Sequence, residues 1–372
     1  MTRESGSLGQ GKVVLHLPLS PFNVYQDLMC EALAARGVTV RKIPFKEIYG
    51  WFPLARNRAR ACAIMHLHWP HGFYQTKRLY RALVKAAIFW LEMKKLRAQG
   101  IRLVWEVHDR GSHDVYHPCL DALVFNWLAG FSDRVVVHCE AARRWVEKDL
   151  GAPPDRVRVI PHGSFRGYYP DAVLREQARQ ELAIPAEAKV LLFFGSLRVD
   201  KGIPELLAAF SRLAQPDLRL VVAGWVAEPR PAEVLKTAAE KDPRIQVYPE
   251  LIPDERVQYF LRAADVVVMP YREILTSGVL TLARDFRVPV VAPAMGCLPE
   301  QLGSAAGVLY DPATPAALEQ AILTALEKSP EAWPLPDPAE EANLQWPKIA
   351  ESLLAIYEEV DKNFETGRGG RG

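Results

Sequence analysis

Residues 190–210 read VLLFFGSLRVDKGIPELLAAF. Val190 to Phe194 form an unbroken apolar run, the pattern of a strand buried on both faces. Gly195 follows at once, and a polar turn then carries two cations, Arg198 and Lys201, and a second glycine, Gly202. Beyond it Leu206, Leu207 and Phe210 recur at helical spacing. Strand, glycine turn, cations and helix together suit a phosphate site. Glycine lets the backbone approach, a starting helix offers N–H groups, and cations neutralise the anion. The spacing matches neither GxxxxGK[ST] nor GxGxxG. Taken alone, the segment fits an ordinary strand–loop–helix with solvated charges equally well.

The flanking sequence has one rhythm in both directions. Toward the N-terminus, strands are expected at Lys12–Leu17, Val38–Lys42, Ile64–His68, Arg102–Val107, Arg134–His138 and Val157–Ile160. Helices are expected over Gln26–Arg36 and Thr76–Ala98. A mostly polar linker is expected over 164–185, and the rhythm then restarts. Strands follow at Val190–Phe194, Arg219–Ala223, Ile245–Tyr248, Val266–Met269, Val288–Ala292 and Gly307–Tyr310, and a last helix at Leu344–Asn363. Strands alternating with helices predict an α/β fold of two parallel, doubly wound Rossmann-like domains. The expected division is residues 1–165, 166–343, a C-terminal helix over 344–365 that packs back toward the first domain, and a disordered tail over 366–372. Two such domains are expected to face each other across a cleft, with ligands at the carboxyl ends of the strands.

The chain has 372 residues, 49% of them hydrophobic and 24% charged, which suits two globular domains. Its net charge of +2 is unevenly spread. Residues 1–160 hold 24 Lys and Arg against 14 Asp and Glu, and residues 161–372 hold 22 against 30. The basic half is expected to meet an anionic surface or substrate. Five cysteines without a CxxC pair suggest reduced thiols, a cytoplasmic location and no structural zinc. There is no apolar run long enough to cross a bilayer, and no signal-peptide core. The 76–98 helix carries Lys77, Arg78, Arg81, Lys85, Lys94, Lys95 and Arg97 among Leu79, Tyr80, Leu83, Trp90 and Leu91. That pattern suits an anionic membrane surface, and equally a sheet-covering helix with a solvated face. No nucleic-acid partner is expected, since no recognition motif is present.

Five further pieces occur in a telling order: VIPHG (159–163), FGSLRVDKG (194–202), VVAG (221–224), AADVVVMPY (263–271) and VPVVAP (288–293). In that order the chain resembles the GT-B glycosyltransferases of the large family 4, over nearly its whole length. The fragments FNVYQDLMCEALAARGV, HLHWP and ILTSG are similar to a branch used in bacterial polysaccharide assembly. The resemblance implies transfer of a sugar from a GDP- or UDP-linked donor to a lipid-linked or oligosaccharide acceptor. It places the donor on the C-terminal domain and the acceptor on the N-terminal domain. It also implies no metal or other cofactor, because protein cations neutralise the leaving diphosphate.

Two departures from the family pattern stand out. The arginine usual directly after the loop glycine is replaced by Ser196, with Arg198 two positions on. The family's Glu-x7-Glu pair falls on Ile274 and Leu282, while Glu273 and Asp285 lie out of register.

The expected donor-diphosphate residues are Gly195, Arg198, Lys201, Thr276, Ser277 and Gly278. The last three read as a helix N-terminus, as a plain cap or as an anion contact. His108 matches a histidine that the family places beside the donor sugar. Asp109 suits a general base if the transfer inverts, with His113 and Asp114 as rivals. Asn23, Tyr25 and His68 are expected on the acceptor side, and His162 and Gly163 at an interdomain hinge. The same residue types also occur simply as satisfied polar groups at strand ends. Two other functions stay open: a nucleotide-sugar epimerase on the same fold, and a non-catalytic sugar-nucleotide-binding subunit of a polysaccharide synthase.

Overall fold

A computed structural model describes residues 13–19, 23–44, 62–111, 116–329 and 332–368. His113 and Asp114 lie outside the described residues, as does the tail from residue 369. The chain divides into two compact units, one of residues 1–163 and 343–372, the other of residues 164–342.

The first unit is a six-stranded parallel sheet in the order β2-β1-β3-β4-β5-β6. Its strands are β1 (Val13–Leu19), β2 (Thr39–Pro44), β3 (Cys62–Leu67), β4 (Arg102–Glu106), β5 (Arg134–Val137) and β6 (Val157–Val159). Helices α1 (Val24–Ala35), α2 (His71–Tyr74), α3 (Leu79–Ala98), α4 (Pro118–Phe131) and α5 (Glu140–Lys148) link them. Because helices cover both faces, the central strands read as mostly apolar runs rather than alternating, and Ile64, Met65, Leu67, Leu103, Val104 and Trp105 are all buried. The strand order reverses between β1 and β3, which opens a crevice at their carboxyl ends.

The second unit repeats the plan in the order β12-β11-β10-β7-β8-β9. Its strands are β7 (Lys189–Phe194), β8 (Leu218–Ala223), β9 (Ile245–Tyr248), β10 (Val266–Val268), β11 (Val290–Pro293) and β12 (Gly307–Tyr310). The helices are α6 (Arg175–Glu181), α7 (Ile203–Arg212), α8 (Pro229–Lys241), α9 (Asp254–Ala263), α10 (Gly278–Asp285), α11 (Leu298–Leu302), α12 (Ala317–Glu327) and α13 (Pro338–Asn343). The strand order reverses between β7 and β10. The quoted stretch supplies β7, the turn and α7, so it builds one wall of that switch point.

The chain then returns to the first unit as α14 (Trp346–Arg368). Ile349, Leu353, Ile356, Tyr357 and Val360 form its buried stripe at helical spacing. It packs on α1 and β3, and Trp346 lies against Gly163, where a Cβ would fall 2.5 Å from the indole.

One expectation changes. The 164–185 stretch is not a free linker. It contains α6, whose Arg175 and Arg179 both bind the Asp265 carboxylate, and Asp265 also accepts from Val190 N at 2.7 Å. Cys30, Cys62 and Cys119 are free thiols.

Candidate active site

At the switch point of the second unit, Gly195 leaves β7 with φ +116°, and a Cβ there would sit 3.2 Å from Val279 in the first turn of α10. Gly202 starts α7 at φ +68°, where a Cβ would lie 1.7 Å from the Pro270 carbonyl oxygen. The turn is thus held against the loop leaving β10. Arg198 Nε donates to Asp200 Oδ1 at 2.9 Å, and Lys201 Nζ is 3.8 Å from Asp200 Oδ2. Lys201 Nζ also stands 4.1 Å from the centre of the Tyr271 ring. Tyr271 is buried and its hydroxyl bonds to Ser277. One side chain therefore joins the cation turn to the start of α10. Ser277 is the N-cap of α10, accepting from Leu280 N at 3.3 Å, and its own N–H donates to Gln301 Oε1. Thr276, Ser277 and Gly278 are a helix start, as expected, and they adjoin the Lys201 turn.

The family's two glutamate positions are apolar in fact as well as in sequence, with Leu282 buried in α10. Asp285 does not stand in. It accepts from Ser164 Oγ at 2.7 Å and Phe165 N at 2.6 Å, and burial raises its pKa. A cavity of about 810 Å³, lined by Asp265, Val266, Pro289, Val290 and Trp333 among others, lies at the amino ends of β10 and β11, away from this turn.

The carboxyl ends of the first sheet hold something the sequence reading did not foresee. The Glu106 carboxylate, fully buried at the end of β4, sits among six imidazoles: His16 from β1, His66 in β3 and His68 just beyond it, His108 after β4, His138 after β5 and His162 after β6. Tyr25 OH donates to Glu106 Oε1 at 2.5 Å. His66 Nε2 is 2.9 Å from Oε2, and the Nε2 atoms of His108 and His138 are each 3.4 Å from Oε1. The rings also touch each other, His68 Nδ1 to His108 Nε2 at 3.0 Å, His108 Nδ1 to His138 Nε2 at 3.3 Å, and His16 Nδ1 to His68 Nε2 at 3.2 Å. Tyr357 OH from α14 meets His66 Nδ1 at 2.6 Å and His16 Nε2 at 3.4 Å.

Burial favours the neutral form of an imidazole. It holds His108 down to about 4 and His162 to about 3, and, aided by His66, it holds His16 and His68 well below their usual range. Burial alone would raise the Glu106 carboxyl, but the surrounding imidazoles, His108 first, hold it well below the usual carboxylate range. Glu106 is the carboxylate of the cluster, and His16, His68, His108 and His162 are neutral rings around it.

The expected acceptor-side residues are redistributed accordingly. Tyr25 and His68 are buried in this cluster rather than exposed to an acceptor. Asn23 is the N-cap of α1, its Oδ1 accepting from Tyr25 N at 3.1 Å. His162 is buried with Nδ1 on the Gly163 carbonyl at 2.8 Å. His108 stacks on Trp69 with ring centres 4.5 Å apart, and Asp109 beside it is half-buried. Glu106, His16, His66, His138 and Tyr357 were missed. The signal was present, since VVLHL, MHLH, WEVH, VVVH and VIPH all place a histidine at or near the end of an apolar strand.

Residues 23–164 match the family described as Glycosyltransferase Family 4, and residues 175–341 match Glycosyl transferases group 1. The chain belongs to the group 1, family 4 glycosyltransferases. The enzyme is 26% identical over 304 residues to the GDP-mannose:glycolipid 4-beta-D-mannosyltransferase of Xanthomonas campestris, covering 80% of each chain. It is 28% identical over 266 residues to the D-inositol 3-phosphate glycosyltransferase of Kineococcus radiotolerans, covering 64% of this chain and 60% of that one. Its fold is similar to sucrose-phosphate synthase from Thermosynechococcus elongatus, at TM-score 0.73, 19% identity, and coverage of 95% and 100%. HepE of Anabaena, solved with UDP and glucose, gives TM-score 0.66 at 16% identity, again covering 95% and 100%. The two sheets are those of the GT-B fold, and the glycosyltransferase uses a nucleotide-sugar donor. Among its described residues no helix is long and apolar enough to cross a membrane.

Proposed function

We propose that this glycosyltransferase moves mannose from GDP-mannose to a lipid-linked saccharide. The observation that carries the reading is the Arg198–Lys201 turn at the β7/β10 switch point, tied through Tyr271 to the start of α10. A diphosphate there would meet two cations and helix N–H groups, which stabilise the charge that grows on the leaving group. On this reading the protein's cations serve the diphosphate in place of a metal. The choice of mannose, guanine and a glycolipid rests on the Xanthomonas relative. Residues 166–343 hold the donor and residues 1–165 the acceptor, with a hinge at His162–Gly163.

The acceptor hydroxyl attacks the anomeric carbon as the bond to the diphosphate oxygen breaks. In an inverting transfer one base must take the hydroxyl proton, and Asp109 is assigned that role. His108 is fixed by Trp69, His68 and His138, so it acts by positioning the strand end that carries Asp109. Helix α3, with its exposed apolar residues among cations, lies on an anionic membrane that delivers the acceptor.

The test is a thermal-shift and product panel with GDP, UDP, ADP and dTDP and their sugar conjugates. Stabilisation by GDP and glycolipid-dependent release of GDP from GDP-mannose support the reading. Release or isomerisation of the sugar without acceptor supports the epimerase. Stabilisation by none of the four nucleotides, with no turnover, leaves a non-catalytic subunit.

A further inference from the structure

We propose that His68, Glu106 and His108 form a binding site for one divalent transition-metal ion, with zinc the best fit. Their donor atoms already stand at the spacing of a ligand set. His68 Nδ1 and His108 Nε2 are 3.0 Å apart, His108 Nε2 and Glu106 Oε1 3.4 Å, and His68 Nδ1 and Glu106 Oε2 3.9 Å. Tetrahedral zinc, with bonds of about 2.0–2.2 Å, separates its ligand atoms by about 3.3–3.5 Å. The two histidines approach different oxygens of Glu106, so closing onto an ion turns the carboxylate as well as the rings. The candidate ligands are all buried.

The donor set suits a cation. Two imidazoles and one carboxylate, buried together, offer two neutral donors and one anionic one. His138 Nδ1 faces the Ile160 carbonyl at 3.0 Å and so carries the proton, leaving Nε2 to accept from His108 Nδ1 at 3.3 Å. His108 Nε2 is thereby turned toward His68 and Glu106.

The outer shell is also the one that metal-bound histidines use, with the distal N–H given to a fixed acceptor. His108 gives Nδ1–H to His138, which is anchored on Ile160. His68 gives Nε2–H to His16, which reaches Tyr357. Tyr25 OH holds Glu106 Oε1. Two imidazoles and one carboxylate select zinc or cobalt over magnesium or calcium, which prefer oxygen. The site lies wholly within the first unit.

The experiment uses the full chain without a histidine tag, purified from zinc-supplemented medium, and elemental analysis after gel filtration. About one zinc per chain is expected, with a higher melting midpoint in zinc than after chelation. Cobalt in its place should give intense visible d–d absorption. His68→Ala/His108→Ala should lose the metal, the cobalt spectrum and the zinc-dependent shift, while the control His117→Ala, a half-buried histidine outside the cluster, keeps all three. If the double variant does not fold, the wild-type zinc count and cobalt spectrum decide alone. Less than about a tenth of an equivalent of zinc, with no visible cobalt band, overturns the proposal. So does metal retained by a folded double variant. All three readouts are independent of turnover, so failure here leaves the donor reading intact.

Discussion

The hydroxyl of Tyr25, in the first turn of α1, donates a 2.5 Å hydrogen bond to Oε1 of Glu106, at the end of β4. Both groups are buried, and the bond joins residues 81 positions apart. A buried carboxylate is tolerable only where donors replace its water. Tyr25→Phe keeps the ring and removes that donor. A bond to a charged group is worth about 1.5–3 kcal/mol, which in a unit of this size moves the melting midpoint by several degrees. Calorimetry should show a fall of that order with the fold retained. An unchanged midpoint would mean that Glu106 is protonated in the native state.

The fold was legible because both sheets are parallel and covered on both faces. Strands such as VLLFF and RVVVH then read as apolar blocks, and the chain restarts the same rhythm after Ser164. The cation turn was legible because glycine, Arg198, Lys201 and glycine are adjacent in sequence. The histidine cluster was not. His16, His66, Glu106 and His138 each look like one polar residue in an apolar strand, and only the lateral order β1-β3-β4-β5-β6 makes them neighbours. Tyr25 read as an acceptor-side loop residue because its burial depends on α1 docking over Glu106.

Lys201→Ala removes the cation stacked on Tyr271 while leaving the glycines and α10 intact. If the turn holds a diphosphate, the melting shift produced by the preferred nucleotide should vanish. At a hundred times the dissociation constant that shift reflects about 2.7 kcal/mol. The protein without ligand should melt nearly as before. Arg198→Ala should weaken the same nucleotide; a full wild-type shift in both variants would move the donor site elsewhere.

Gly202 answers to backbone geometry. Its φ of +68° disfavours a side chain, and a Cβ would fall 1.7 Å from the Pro270 carbonyl oxygen. The left-handed conformation alone costs about 1–2 kcal/mol, and the clash adds to it. Gly202→Ala should therefore lower denaturant stability by more than about 2 kcal/mol. Gly151, also at positive φ (+69°), has no atom near its missing Cβ, so Gly151→Ala should cost less.

Helix α3 exposes Leu79, Tyr80, Leu83, Val84, Trp90 and Leu91 by 38–58% each, with Arg81, Lys85 and Lys94 among them. Fully burying a leucine is worth about 1.5–3 kcal/mol. Leu83→Glu/Leu91→Glu should cut binding to phosphatidylglycerol vesicles at least tenfold in a sedimentation assay. Phosphatidylcholine vesicles should bind the wild type weakly. Equal binding of wild type and variant to anionic vesicles would return α3 to the role of a sheet cover.

The last prediction concerns acid. Glu359 on α14 lies 2.8 Å from Arg134 of β5 and 2.8 Å from Arg158 of β6, and these guanidiniums, Arg134 first, hold its carboxyl below the usual range. A carboxyl whose folded pKa is depressed binds its proton more readily when unfolded. Its contribution is therefore present above the unfolded value, about 4.3, and is lost as the pH falls through the lower folded value. Both partners are partly exposed, so the effect is screened by salt. Glu359→Gln should melt lower than the wild type at neutral pH, and the two curves should converge toward pH 3. The gap should narrow in molar salt. A gap that persists at low pH would show that Glu359 holds α14 by packing and not by charge.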